Sequence, residues 1–253
     1  MKKYTLLFTI LATLGACKKP QVLPGSVPVK FTATTYQTLG TYDNSGKPSY
    51  LTTKDVISSD LLSFINNTLH EKQDIRKTHQ ELFSTSAIAD IKVTQKSDVY
   101  VTYVYNNTGY TDAIAFYTYP TNNPPASAAD IKTITYIYPN AGNGTTPQAT
   151  TTLQAGDKVN IGRFDVGTSI GFVLLQGAWN PTTHTINTDS PHFCSNDVLN
   201  PETDPNLKKH AVLINYAPEK KVLIGFEDQD RSTPDCDNDF NDVIVYATVT
   251  PAI

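Results

Sequence analysis

Alternation of hydrophobic and polar residues dominates the chain after residue 90. Residues 98–105 read Asp-Val-Tyr-Val-Thr-Tyr-Val-Tyr, a turn signal follows at 106–109, and the alternation resumes at 112–119. A period of two is typical of half-buried β-strands. We therefore predict a strand at 98–105 that pairs with an antiparallel strand at 112–119.

Six further segments have strand character and are bounded by Gly, Pro or Asn. They are residues 133–138, 158–164, 169–175, 211–216, 221–226 and 242–249. Short antiparallel strands separated by turn signals are typical of two-sheet proteins. The sequence predicts a mainly β fold, an antiparallel β-sandwich of jelly-roll type.

The pattern is different near the N-terminus, between residues 53 and 83. Hydrophobic residues recur there at helical spacing: Ile57, Leu61, Leu62, Ile65 and Leu69. Ser58 and Ser59 are candidate caps, and Asp60 suits the first turn. We predict a short amphipathic helix, followed by a second turn at about 73–83.

The first residues have the composition of an export signal. Lys2 and Lys3 precede an apolar stretch of eleven residues, 4–14, which is too short to span a bilayer as a helix. Leu14-Gly15-Ala16-Cys17 resembles the lipobox of bacterial lipoproteins, which implies cleavage before Cys17 and acylation, including palmitate, of its thiol. An ordinary secretory signal with a chance cysteine is the alternative.

These features divide the chain into four regions. We predict a signal peptide with its lipidated cysteine at 1–17, a flexible proline-rich tether at 18–30, a strand and helix segment at 31–90, and a β-sandwich domain at 91–253. Lys18 is not the Asp that retains some lipoproteins at the inner membrane. We therefore expect a lipid anchor in the outer membrane, with either the periplasmic or the outer face exposed.

Negative charge is concentrated in one segment of the chain. The formal charge is −4, yet residues 225–242 hold seven acids against Arg231, so the remainder of the chain has a charge of +2. No basic stripe of the kind that nucleic acid requires is present in the sequence. We expect no nucleic-acid partner.

Two cysteines remain after the predicted cleavage, Cys194 and Cys236. An even pair in an oxidising compartment favours a disulfide, which would close a loop of about forty residues and stabilise the fold by roughly 4 kcal/mol. Two reduced, buried thiols are the alternative.

The acidic segment lies between the last two predicted strands. Fixing so many carboxylates on one hairpin requires a counter-ion, and oxygen ligands without a thiolate or histidine at matching spacing favour Ca²⁺. An EF-hand does not fit, because Phe240 and Tyr246 stand where its glycine and bidentate glutamate belong. A solvated acidic turn is the alternative. His184, His192 and His210 could add a transition-metal site, although structural or surface histidines are commoner.

Gly-Phe-Glu-Asp at 225–228 and Asp-Asn-Asp-Phe-Asn-Asp-Val at 237–243 resemble the signature of the bacterial DUF4114 domain. The resemblance extends over roughly residues 90–250, and residues 98–119 are similar to strands that precede the domain in LruC-type lipoproteins of Bacteroidota. It implies a β-rich domain without an established reaction. Carried onto this chain, the implied metal ligands are Glu227, Asp228, Asp237, Asp239, Asn241 and Asp242, whereas Asp230 and Asp235 lie in a variable insert.

Two functions are compatible with these features. The first is a cell-envelope lipoprotein whose Ca²⁺-stabilised β-sandwich acts as a binding, structural or adhesion module for an unknown glycan or protein ligand. The second is a hydrolase that acts on glycans through two of the carboxylates. Consecutive carboxylates on one loop suit chelation better than acid and base catalysis, and common hydrolase motifs do not occur. We therefore expect no enzyme and assign no catalytic residue.

Overall fold

Two stacked β-sheets form the body of the protein in a computed structural model that describes residues 29–252. The strands are β1 (Thr35–Thr38), β2 (Ile91–Lys92), β3 (Ser97–Asn106), β4 (Ala113–Pro120), β5 (Thr133–Tyr138), β6 (Lys158–Phe164), β7 (Thr168–Leu175), β8 (Trp179–Asn180), β9 (Thr185–Ile186), β10 (His192–Cys194), β11 (Ala211–Tyr216), β12 (Lys221–Phe226) and β13 (Val243–Pro251). The helices are α1 (Ser59–Thr68) and α2 (Ile75–Thr78). Short 3₁₀ turns lie at Gln80–Phe83, Ala128–Asp130, Asp197–Leu199, Pro205–Leu207 and Ala217–Glu219.

The larger sheet has the order β1-β5-β4-β7-β10, with β2 added beside β7, and the smaller sheet has the order β11-β12-β13-β3-β6. All pairs in the two sheets are antiparallel except β1 with β5, which is parallel. All eight strands expected from the alternation are present, so the mainly β, sandwich-type prediction is confirmed.

Hydrophobic side chains fill the space between the sheets. Val99 and Val101 of β3 and Val245 of β13 meet Phe172 and Leu174 of β7 in one cluster of buried residues. The outer faces of the sheets are covered as well, the larger one by Phe31 and Leu199 among others, the smaller one by α1. Central strands are therefore buried on both faces, which explains why several of them are nearly continuous in hydrophobic residues.

Helix α1 forms where the sequence predicts it. The Ser58 hydroxyl accepts a hydrogen bond from the Leu61 N–H at 3.0 Å and caps the first turn. Leu61 and Ile65 are buried against β11, β12 and β13 through residues such as Leu223. The second turn consists of α2 and the 3₁₀ turn that follows it.

The predicted hairpin of residues 98–105 with 112–119 is wrong. Strand β3 pairs with β13 and β6, whereas β4 pairs with β5 and β7, so the connection at 107–112 crosses from one sheet to the other. Alternation identifies a strand but not its partner, and the turn signal is used differently here. The Asn107 N–H donates to the Asp242 carbonyl at 2.9 Å, which ties the crossing segment to the acidic loop.

The predicted disulfide is also wrong, because Cys194 and Cys236 are both free and buried. Cys194 packs on the outer face of the larger sheet with Val173 and Leu199, whereas Cys236 lies in the acidic loop beside Glu227. The two thiols occupy different environments, and burial raises the pKa of each well above its usual value. Cys194 therefore behaves as a small hydrophobic side chain, whereas the Cys236 thiol contacts the Glu227 carboxyl group.

The expected signal peptide, Cys17 and the tether up to residue 28 lie outside the described residues. Within residues 29–252, no helix has both the length and the apolar character that crossing a bilayer requires.

Candidate metal centre

The acidic site forms where β12 ends and β13 begins. Phe226 and Val243 are directly paired, and the Asp242 N–H donates to the Phe226 carbonyl at 3.1 Å. The Asp228 N–H in turn donates to Asp242 Oδ2 at 2.9 Å. Strand register therefore brings together acids that are fourteen residues apart in the chain.

The loop between these strands has an unusual backbone. Asn238 and Phe240 adopt left-handed conformations, with φ of 59° and 58°, and they alternate with Asp237, Asp239 and Asn241. Such conformations are costly for non-glycine residues unless the surroundings hold them. Burial of the Phe240 ring in the hydrophobic cluster beneath α1 helps to fix the left-handed backbone of this residue.

Five of the predicted ligands form two overlapping groups. The strand-end triad consists of Glu227, Asp228 and Asp242, and the loop triad consists of Glu227, Asp237 and Asp239. Within each triad, one oxygen of every carboxylate lies within 4.8 Å of the others. Oxygens at such spacings fit the coordination sphere of a cation bound at about 2.4 Å. Glu227 is common to both triads.

Several of these oxygens are buried without a partner. Glu227 and Asp228 are each only 1% exposed, and no hydrogen bond to Glu227 Oε2 or Asp228 Oδ1 is formed by residues 29–252. Within the same range, none of the five acids forms an ion pair with Lys, Arg or His. Buried carboxylates without compensation are strongly unfavourable, so the donor set fits a bound cation.

Burial and mutual repulsion control the protonation of the strand-end triad. Burial, followed by the charge of Asp242, raises the pKa of Glu227 well above its usual value. The pKa of Asp228 is raised by burial and by Asp112, and that of Asp242 by burial and by Asp228. Burial and mutual repulsion therefore disfavour the charged form of these groups, and a bound cation would offset both effects.

In the loop triad, two backbone N–H groups stabilise the charged form of one carboxylate. Burial raises the pKa of Asp239 to about 6, although the N–H groups of Asn241 and Lys72 donate to its carboxylate at 3.0 and 2.7 Å. Burial also raises the pKa of Asp237, which is partly exposed. In the loop triad, backbone hydrogen bonds therefore offset part of the effect of burial on the pKa of Asp239.

The segment that connects β3 to β4 supports the strand-end triad. Thr108 donates a hydrogen bond to Asp228 Oδ2, and Asp112 is fully buried beside the same carboxylate. Burial raises the pKa of Asp112 to about 7. A hydrogen bond of 2.8 Å from the Gly177 N–H to Asp112 Oδ1 opposes this shift, because it stabilises the charged form. Gln176 Nε2 donates to the Asp228 carbonyl at 2.6 Å. Sequence reasoning missed these residues, because they approach the site only through folding.

A buried histidine and a buried arginine hold the other side of the site. His210 contacts the Glu227 carbonyl through Nδ1 at 3.0 Å and Glu202 through Nε2 at 2.7 Å. Arg231 donates to Asn238 Oδ1 at 2.9 Å and lies over the Phe240 ring, 5.2 Å from its centre. Neither residue forms an ion pair with a triad carboxylate among the described residues, although the charge of Arg231 is close enough to attract Glu227.

The remaining candidate residues do not join the triads. Asn241 is buried next to them, but its amide accepts from Asn107 at 2.9 Å and donates to the Leu69 carbonyl at 3.2 Å. The insert residue Asp235 is exposed, as expected of a residue outside the family pattern. Among the described residues, no histidine belongs to a metal-type group with these acids.

Comparison with known families agrees with the motif. The model of the domain of unknown function DUF4114 matches residues 164–250. No curated protein and no solved structure matches the chain. The matched segment contains all five triad carboxylates, whereas Thr108 and Asp112 lie before it. Residues 164–250, from the end of β6 to the penultimate residue of β13, therefore carry a DUF4114 domain.

Proposed function

We propose that the two triads bind Ca²⁺, and that the bound metal stabilises the β-sandwich of a binding or structural module on the cell envelope. The observation that carries the proposal is the burial of Glu227 and Asp228 with oxygens that no described residue satisfies. A divalent cation would balance this charge and fix the loop between β12 and β13.

The chemistry of the donors supports Ca²⁺ in particular. Every ligand atom in the triads is a carboxylate oxygen, and Ca²⁺ accepts six to eight such ligands in irregular arrangements at about 2.3–2.6 Å. Mg²⁺ requires a near-ideal octahedron and retains water, which suits a largely buried loop less well. The side chains available therefore favour the larger ion.

Burial also favours chelation over hydrolysis. The adjacent carboxyl groups of Asp112 and Asp228 are almost completely buried, so a polymeric glycan would have no access to them. Glycosidases place their acid and base on either side of a substrate cleft. The arrangement of the carboxyl groups therefore does not support a hydrolase, and we propose a binding or structural module instead.

The envelope location rests on the sequence. The lipobox-like residues at 14–17 and the proline-rich segment that follows would anchor the sandwich to a membrane through acyl chains, which hold more firmly when two or more are present. We propose an outer-membrane lipoprotein whose sandwich binds a glycan or a protein.

Calorimetric titration of the purified protein with Ca²⁺ and then Mg²⁺ tests the metal assignment. We expect Ca²⁺ to bind at least tenfold more tightly than Mg²⁺, and the Glu227→Gln variant to lose at least tenfold in Ca²⁺ affinity. Asp235→Asn removes an exposed acid from the same loop and should leave the affinity unchanged. Equal Ca²⁺ affinity in Glu227→Gln and the parent protein would refute the assignment.

A further inference from the structure

Glu227 belongs to both triads. This shared position bears on the number of metal ions that the site binds. We infer that the site is binuclear: it holds two divalent cations, one in each triad, with Glu227 as the shared ligand. The inference rests on the proposed function and specifies how many ions the site takes and where they lie.

Geometry separates the two positions. The oxygens of Glu227, Asp228 and Asp242 lie within 4.8 Å of one another, and so do those of Glu227, Asp237 and Asp239. The two sets have only Glu227 in common, so Asp228 and Asp242 do not share one coordination sphere with Asp237 and Asp239. A single ion would therefore leave one pair of carboxylates without a cation.

Unpartnered buried oxygens point to a ligand independently of the acidic clustering. Glu227 Oε2 and Asp228 Oδ1 both have no hydrogen-bond partner within residues 29–252, and both side chains are about 99% buried. Asp112 is fully buried beside Asp228, and a proton shared between these two carboxyl groups would serve Asp228. The unpartnered oxygen of Glu227, the shared residue, is therefore the one that most needs a cation.

Charge makes the same distinction. The triads contain five carboxylates, and the described residues offer them no ion pair. Metal binding requires the ligand carboxyl groups to be ionised, and with all five ionised one divalent cation would neutralise two negative charges, whereas two cations would neutralise four. The carboxylates that one ion leaves without a cation repel one another strongly near a protein surface. Binding of a second ion removes much of this repulsion.

The surroundings of the two positions differ, which makes them separable by mutation. Thr108, Asp112 and Gln176 enclose the strand-end position from the β3–β4 and β7–β8 connections. The loop position faces Lys72, whose N–H binds Asp239, and includes the partly exposed Asp237. Asp228→Asn should therefore disable the first position, and Asp237→Asn the second.

The test counts bound Ca²⁺ by equilibrium dialysis on the purified protein and its isosteric variants. We expect two ions for the parent protein, one for Asp228→Asn, one for Asp237→Asn and two for the control Asp235→Asn. Circular dichroism of each variant checks that it is folded. Europium excitation spectra give one line for each distinct site, so the parent should show two lines and Asp237→Asn one.

The possible failures are distinguishable. One ion in the parent protein, lost in Asp228→Asn or in Asp237→Asn, would overturn the binuclear site and leave the proposed function standing. No bound ion in the parent would overturn both. Two ions that persist in Asp237→Asn with two europium lines would contradict the assignment of the second position to the loop triad.

Discussion

At the scale of single residues, the site consists of carboxyl groups whose burial disfavours their charged form. Glu227 and Asp228 are buried at the end of a hydrophobic sandwich, and neither has a cationic side chain as a partner among residues 29–252. Strongly perturbed carboxyl groups of this kind cluster at functional sites. Arg231 is close to them, but it contacts Asn238 and the Phe240 ring.

His192 provides a prediction that does not involve the metal. It is buried against Phe31, its Nε2 contacts the Tyr36 hydroxyl at 2.8 Å, and burial lowers its pKa to about 4. The unfolded chain takes up this proton near pH 6.5, so the folded state loses stability as the pH falls from 6.5 towards 4. Between pH 7 and pH 5 this one group should cost about 2 kcal/mol.

Urea unfolding at pH 7 and pH 5 measures this effect. In His192→Gln the loss of unfolding free energy between the two pH values should be smaller by about 2 kcal/mol than in the parent protein. His184, in the turn between β8 and β9, offers a matched control through His184→Gln. An equal loss in His192→Gln and the parent would contradict the account.

Residue chemistry was partly predictable from the sequence. The resemblance of residues 225–228 and 237–243 to a known signature implied the five carboxylates that the structure groups in the triads. Asp112 and Thr108 carry no such signal, because their contact with Asp228 spans more than a hundred positions of chain. The pairing of Cys194 with Cys236 was wrong because sequence provides parity but no distance.

At the scale of elements, the acidic loop depends on a close approach between two backbones. Gly225 of β12 faces the Phe240 carbonyl, and a Cβ added there would lie 2.4 Å from that oxygen and 2.7 Å from Leu69 Cδ1. Only glycine permits this contact, so the residue before the Phe-Glu-Asp motif determines how tightly the loop folds over the strand.

Gly225→Ala should destabilise the protein by about 3 kcal/mol, because the backbone oxygen it would meet has little freedom to move. It should also weaken Ca²⁺ binding at least tenfold, since the loop carries Asp239. Gly109→Ala is the control: nothing lies within 4 Å of the added carbon, and we expect a change below about 0.5 kcal/mol. Urea unfolding and calorimetry provide the two measurements, and a neutral Gly225→Ala would contradict this explanation.

Element types were easier to predict than their partners. Helix α1 and the eight principal strands follow from periodicity and capping, both of which are local. The crossing of the chain between β3 and β4 and the parallel pairing of β1 with β5 depend on the packing of two complete sheets. Local turn chemistry at 106–109 is compatible with a hairpin and with a crossing, so it could not decide between them.

At the scale of the whole molecule, the site is formed by residues inside the segment that matches the family and is surrounded by residues outside it. The triads lie within residues 164–250, but α1, the segment around Lys72 and the β3–β4 connection surround them from outside that match. A cation held by the triads would therefore fix the loop between β12 and β13, and the β3–β4 connection, which crosses between the sheets, is hydrogen-bonded to that loop.

The anchor is a separate prediction at this scale. Cys17→Ser should abolish incorporation of labelled palmitate and shift the protein from the detergent phase to the aqueous phase on phase separation. Cys194→Ser, which alters a buried thiol in the sandwich, should retain the label. Palmitate incorporation that persists in Cys17→Ser would contradict the assignment of the anchor.

The central claim is that the DUF4114 loop is a Ca²⁺ site that stabilises the fold, and the thermal melt with and without calcium tests it most directly. At a Ca²⁺ concentration one hundred times the dissociation constant, each bound ion adds about 2.7 kcal/mol, so even one ion raises the melting midpoint by about 5–10 °C over that in excess chelator. Glu227→Gln should lose most of this difference. Identical midpoints for the parent protein in calcium and in chelator would contradict the claim.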